Sequence, residues 1–227
     1  MLNLTNPTPR RGFLGRFAAL AAPVAAYQLF GPRPLHAAGT LDDDGPDSAW
    51  LKTLTGKHKT TFDVETHKNG NALVQGKNLL DAWRDSFGVP ESQVNLVMGV
   101  RGTGIPIVLR DELWAKYRIG EQYGLIDPAT KAPSVRNLFT NTNLQSAGPV
   151  NGEQTIEALQ KRGVLFLACR NTIVAATKKL VAAGMGTTDE VRSSLFAGML
   201  PGVTMVPAMV IAFTEMQERG VAYVYAG

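Results

Sequence analysis

The sequence predicts an α/β protein, a three-layer α/β/α sandwich built on a mainly parallel five-stranded sheet. Three observations carry that prediction. From residue 57 onward, short apolar segments alternate with segments of helical periodicity. Two of the strand-like segments, residues 94–100 (VNLVMGV) and 163–169 (GVLFLAC), are nearly continuous apolar runs, the mark of strands covered on both faces. Right-handed crossovers between such strands then make a doubly wound domain the natural solution.

The elements follow in order. His58–Thr66 is rich in Thr, Phe and Val and reads as a strand. Residues 71–87 place Leu73, Leu79, Leu80, Trp83 and Phe87 at helical spacing, and Gly88 and Pro90 end the helix. The strand at 94–100 comes next, with Gly99, Gly102 and Gly104 near its far end. Residues 111–119 form a short helix. Residues 126–152 are polar, rich in Asn, Thr, Ser and Pro, and nearly aperiodic; a stretch of this length is functional, mobile or irregularly structured. Helical periodicity returns at 152–162, with Ile156 and Leu159 on one side. The strand at 163–169 leads into a helix at 171–183, capped by Asn171 or Thr172 and stopped by Gly184. A short helix at 189–197, a strand at 203–206, a helix at 207–219 with Pro207 at its start and Gly220 past its end, and a last strand at 221–225 complete the pattern.

Residues 1–38 read as an export signal. Arg10 and Arg11 precede Phe13 and Leu14, a weakly apolar segment of about 11 residues follows, and residues 35–39 (LHAAG) offer a small-residue cleavage site. This is a twin-arginine (Tat) address, which implies folding inside the cell, passage through the Tat translocase and work in the periplasm or beyond. A membrane span needs roughly 20 apolar residues, and Pro23 interrupts this one. Residues 39–56, with Asp42, Asp43, Asp44, Gly45 and Pro46, read as a solvated linker, and 57–227 as a single domain with a polar insertion at about 126–152. The signal holds Arg10, Arg11, Arg16 and Arg33 and no acid. Its removal takes Lys plus Arg from 23 to 19, against 19 acids, and the formal net charge from +4 to 0. The remaining body has no overall charge that favours nucleic acid.

Cys169 is the one cysteine of the chain. In an exported protein a lone thiol is reactive, ligating, paired between chains, or simply a small buried hydrophobe. Its position favours chemistry. It ends an apolar strand and precedes a helix, so the first helical N–H groups and the positive end of the helix dipole lie near the sulfur and favour thiolate. Arg170 adds positive potential if it turns the same way. Residues 99–104 (GVRGTG) follow a strand and read either as a tight turn or as a backbone cradle for an anion. Arg101 and Gly102 are candidates for holding an anionic sulfur species beside Cys169. His58 and His67 show no metal-ligand spacing with Cys169, and no metal site is assigned. Met199, Met205, Met209 and Met216 suit core filling. Tyr223 and Tyr225 face one layer of the sandwich or a subunit contact.

Residues 163–172 (GVLFLACRNT) resemble the cysteine motif of the DsrE/YchN family. Residues 200–208 (LPGVTMVPA) and 215–224 (EMQERGVAYV) are similar to its closing strand–helix–strand. The resemblance covers about 150–227, extends more weakly over 57–110, and does not reach the signal or the polar insertion. It implies a DsrEFH-like domain that assembles into trimers or hexamers, with Cys169 accepting sulfane sulfur as a persulfide and relaying it between donor and acceptor proteins. Asn171 and Thr172 then supply the helix start, and no cofactor beyond the covalent persulfide is implied. The rival reading is a non-catalytic ligand-binding or assembly module in which Cys169 is structural.

Overall fold

The computed structural model of the chain describes residues 48–141 and 150–227. The strands are β1 (His58–Thr66), β2 (Val94–Thr103), β3 (Leu165–Cys169), β4 (Val203–Val206) and β5 (Ala222–Tyr225). The helices are α1 (Asn71–Asp85), α2 (Asp111–Lys116), α3 (Ile119–Tyr123), α4 (Ile156–Lys161), α5 (Arg170–Ala182), α6 (Thr188–Ala197) and α7 (Met209–Glu218). The strands form one sheet in the order β4-β3-β2-β1-β5, and every pair is parallel.

This order dictates the layers. The steps from β1 to β2, β3 and β4 all move the same way across the sheet, so right-handed crossovers lay α1 to α6 on one face. The return from β4 to β5 runs the opposite way and lays α7 on the other. Side-chain packing agrees. Phe62, Val64, Leu96, Met98, Phe166 and Ala168 form the main core with Leu73, Leu80, Trp114, Leu159, Ile173 and Leu195 of the first layer. Val97, Leu167, Cys169 and Val206 pack with Met209, Ala212, Phe213 and Met216 of α7. The predicted three-layer α/β/α architecture is the one observed. Gly99 on β2 lets α7 lie close: a Cβ there would stand 2.6 Å from Phe213 Cε1 and 2.7 Å from Met209 Sδ.

The second face is thinly covered. Five strands span about 20 Å, and one helix with its side chains is about 10 Å across. Part of the remainder is closed by residues read from sequence as linker, which corrects that reading from Ser48 onward. A 3₁₀ turn at Ala49–Thr53 buries Trp50 and Leu51, and Leu54 follows them into the α7 core. The Ser48 hydroxyl donates to Glu215 at 3.1 Å, and Asn95 accepts the Gly56 N–H at 2.6 Å. The signal, its cleavage region and the acidic run at 42–44 lie outside the described residues. No helix among the described residues is long and apolar enough to cross a membrane.

The described part of the polar insertion is tightly built without regular structure. Asp127, 4% exposed, takes two hydrogen bonds from Arg136 at 2.7 and 3.1 Å, and that guanidinium holds its carboxyl below the usual range. Asn137 is fully buried; its Nδ2 donates to the carbonyls of Ile107 and Leu109, and its Oδ1 accepts the Phe139 N–H. Leu138 and Phe139 then enter the main core. Two helix starts also differ from expectation. The N-cap of α5 is Cys169, not Asn171 or Thr172. The stretch at 152–162 is a 3₁₀ turn at Gly152–Gln154 followed by α4, which Thr155 caps.

Candidate functional site

In open parallel sheets, ligands gather beyond the carboxyl ends of the strands, where neighbouring connections part to opposite faces. Here β3 leaves toward α5 in the first layer and β4 leaves toward α7 in the other. The residues facing each other at that parting are Cys169 and Val206, which are paired in register. Cys169 therefore sits at the switch point of the sheet. Its backbone starts α5, and its sulfur accepts the N–H of Met209, the first residue of α7, at 3.4 Å. One helix start thus lies on the side chain, while the other leaves from the backbone without a hydrogen bond to the sulfur. The side chain is 6% exposed, and the cluster around it is apolar.

The expected basic neighbours are engaged elsewhere. Val100 pairs with Ala168, so Arg101 and Cys169 lie side by side one step further along the ladder, on the α7 face. The Arg101 guanidinium nevertheless turns to β1. It grips both Asp63 oxygens at 2.8 and 2.9 Å and reaches Glu65 at 2.9 Å. The Asp63 bonds raise the Arg101 pKa. With two carboxylates already on it, Arg101 is not the free anion holder expected from sequence. The Tyr223 hydroxyl donates to Asp63 at 2.6 Å and the Tyr225 hydroxyl to Glu65 at 3.2 Å, so both tyrosines close this network rather than only lining a layer. Burial and the Asp63 carboxylate push the Tyr223 phenol up to about 12. Arg170 is exposed, with its guanidinium 5.8 Å from the Phe196 ring of α6, and so lies away from the sulfur.

Gly102, Asn171 and Thr172 do come together, but across the sheet edge from Cys169. The Gly102 N–H donates to Thr172 Oγ1 at 3.1 Å, and the Gly104 N–H bonds the carbonyls of Glu65 and Arg101. Residues 99–103 therefore continue β2 up to a turn at Gly104, and with the Gly102 and Gly104 N–H groups already bonded the segment is no open anion cradle. The Gly102–Thr172 contact closes one end of a cleft of ≈ 350 Å³ between α5, the end of β2 and the end of α3. Asn171, Ala175 and Ala176 line its length. At the other end Lys179 Nζ lies 4.0 Å over the Tyr123 ring and donates to the Gln122 carbonyl. Burial pushes the Tyr123 phenol up to about 12.

His67 braces the same region. The Asn69 N–H donates to its Nδ1, which leaves Nε2 to donate to the Tyr123 carbonyl at 3.1 Å. Burial lowers the imidazole below its ordinary 6.5, with the Tyr123 carbonyl opposing. The unfolded chain then takes up this proton at a higher pH than the folded one. The contribution of His67 to stability is complete above about pH 6.5 and declines as pH falls through the lowered folded value, by at most about 1.4 kcal/mol per pH unit. His67→Gln is expected to flatten that part of a stability–pH profile measured by urea unfolding; an unchanged profile would assign the acid sensitivity to other groups.

Among the described residues, no group of three or more His, Cys, Asp or Glu side chains is placed to hold a metal ion. The network of Asp63, Glu65, Tyr223 and Tyr225 and the Lys179 end of the cleft escaped the sequence reading. One signal for the first was present: Asp63 stands between Phe62 and Val64 in mid-strand, where an acid needs a partner.

The chain matches no protein-family model and no curated protein. Among solved structures, a protein of unknown function from Methanobacterium thermoautotrophicum is similar with a TM-score of 0.38 and 18% identity, over 74% of this chain and 98% of that one. A likeness of that size carries no argument about what this chain does.

Proposed function

We propose that this chain is an exported, DsrE-like sulfur-handling protein in which Cys169 accepts sulfane sulfur and passes it on. The observation that supports this reading is the placement of Cys169 at the switch point, with the first N–H of α7 on its sulfur. In the step, the Cys169 thiolate attacks the outer sulfur of a donor persulfide, R–S–SH. A new S–S bond forms to Sγ, the donor S–S bond breaks, and the donor leaves as R–S⁻ with the electron pair. Cys169 becomes Cys–S–SH with no net oxidation, and an acceptor thiolate reverses the exchange. Because the sulfur is buried, transfer requires the first turn of α7 to give way. That turn exposes Val210 and Ile211, and β5 beside it exposes Tyr223, Val224 and Tyr225 at 40–53%. These apolar surfaces support assembly of several copies.

Mass spectrometry after incubation with inorganic polysulfide tests the reading. The expected result is a gain of one sulfur atom that dithiothreitol removes and that Cys169→Ser abolishes. A second reading, a non-catalytic assembly module with Cys169 as packing, is favoured by the 6% exposure of that residue in an apolar cluster. Alkylation separates the two: labelling of the native protein supports sulfur transfer, and labelling only after denaturation, with no sulfur adduct, overturns it.

A further inference from the structure

The cleft beside α5 carries an inference independent of Cys169, since it lies on the opposite face of the sheet edge. Its ≈ 350 Å³ is at the small end of the range for ligand pockets, about 300–1,000 Å³. Ala175 and Ala176 give it an apolar wall, and Tyr123 adds aromatic surface. Helical spacing explains why the wall is continuous: Asn171, Ala175 and Lys179 are four residues apart on one stripe of α5. The Ala175 methyl is what leaves room between the two polar ends.

Charge decides the ligand class. Lys179 brings a full positive charge to one end, and the groups that hold it, the Gln122 carbonyl and the Tyr123 ring, are neutral. Among the described residues no carboxylate forms an ion pair with Lys179, in contrast to Lys77, Arg84, Arg101 and Arg162. The ammonium is thus pre-positioned but not neutralised. At the far end the exposed Asn171 amide supplies a polar group next to the closed Gly102–Thr172 contact. We propose that this cleft binds a small monoanion with a flat apolar body, an aromatic carboxylate in class, with the carboxylate on Lys179 and the body against Ala175 and Ala176.

The full chain titrated with benzoate, benzyl alcohol and benzylamine, followed by NMR chemical shifts and calorimetry, tests the assignment. Benzoate should bind saturably and more tightly than the neutral alcohol, with benzylamine weakest. Lys179→Met should weaken benzoate about tenfold and leave benzyl alcohol unchanged, as expected for loss of one charge-assisted contact. Ala175→Phe, at an exposed position that leaves the core intact, should block benzoate and benzyl alcohol by filling the cleft. Absence of saturable benzoate binding, equal affinity for the three probes, or benzoate binding indifferent to both variants would overturn the proposal.

Discussion

Arg101→Met is expected to lower the free energy of unfolding by about 3–5 kcal/mol, read as a drop in the urea midpoint at unchanged slope. The Asp63 side chain is 2% exposed and takes two hydrogen bonds from this guanidinium. Without the cation a carboxylate stays buried on the α7 face with only the Tyr223 hydroxyl to share its charge. Removing both partners, as in Asp63→Leu with Arg101→Met, should recover most of the loss, because the larger part of the penalty is the orphaned charge rather than the missing attraction. A single-variant cost under about 1 kcal/mol would mean that water reaches Asp63 and that the pair is a surface feature.

Asn137→Ala is expected to cost roughly 3–5 kcal/mol. The amide satisfies the carbonyls of Ile107 and Leu109 and the Phe139 N–H in a site with no exposed surface, and each group left unpaired there costs about 1–3 kcal/mol. The damage should be local before it is global. Hydrogen exchange should quicken first at Phe139, then at Ile156, whose N–H bonds the Phe139 carbonyl. Unchanged protection at both would show that the side chain of Asn137 does not hold the segment against the core.

Where the signal lay in side-chain type at close spacing, the sequence was legible. The bounds of β1 and β4 match the expected ones, and β2 begins where its apolar run begins, because such runs must be buried wherever they fall. Register and long-range pairing were not legible. That Arg101 meets Asp63 and Glu65 depends on two strands aligning, not on local composition. The same holds for Trp50 and Leu51, apolar residues beside an acidic run, which look like linker until a helix from the far end of the chain leaves a gap for them. Residues 126–141 looked loose because their order comes from buried polar atoms, which have no periodicity. At the candidate site, the position of Cys169 at a strand–helix junction could be read; the direction of Arg170 and the separation of Asn171 and Thr172 from the sulfur could not, since they belong to α5 in the first layer while the sulfur packs against α7 on the other face, and the layer each helix takes depends on the strand order.

The outermost strand has a consequence for how the protein is made. β1 is among the first elements described, yet its outer partner is β5, with Tyr223 some 160 residues after Asp63. Until residues 222–225 have left the ribosome, Thr60 to Asp63 present a bare hydrogen-bonding edge, and the buried acid lacks its phenol. The nascent polypeptide therefore completes its sheet only after synthesis has passed that point, and a product truncated before it keeps an adhesive flank that invites aggregation.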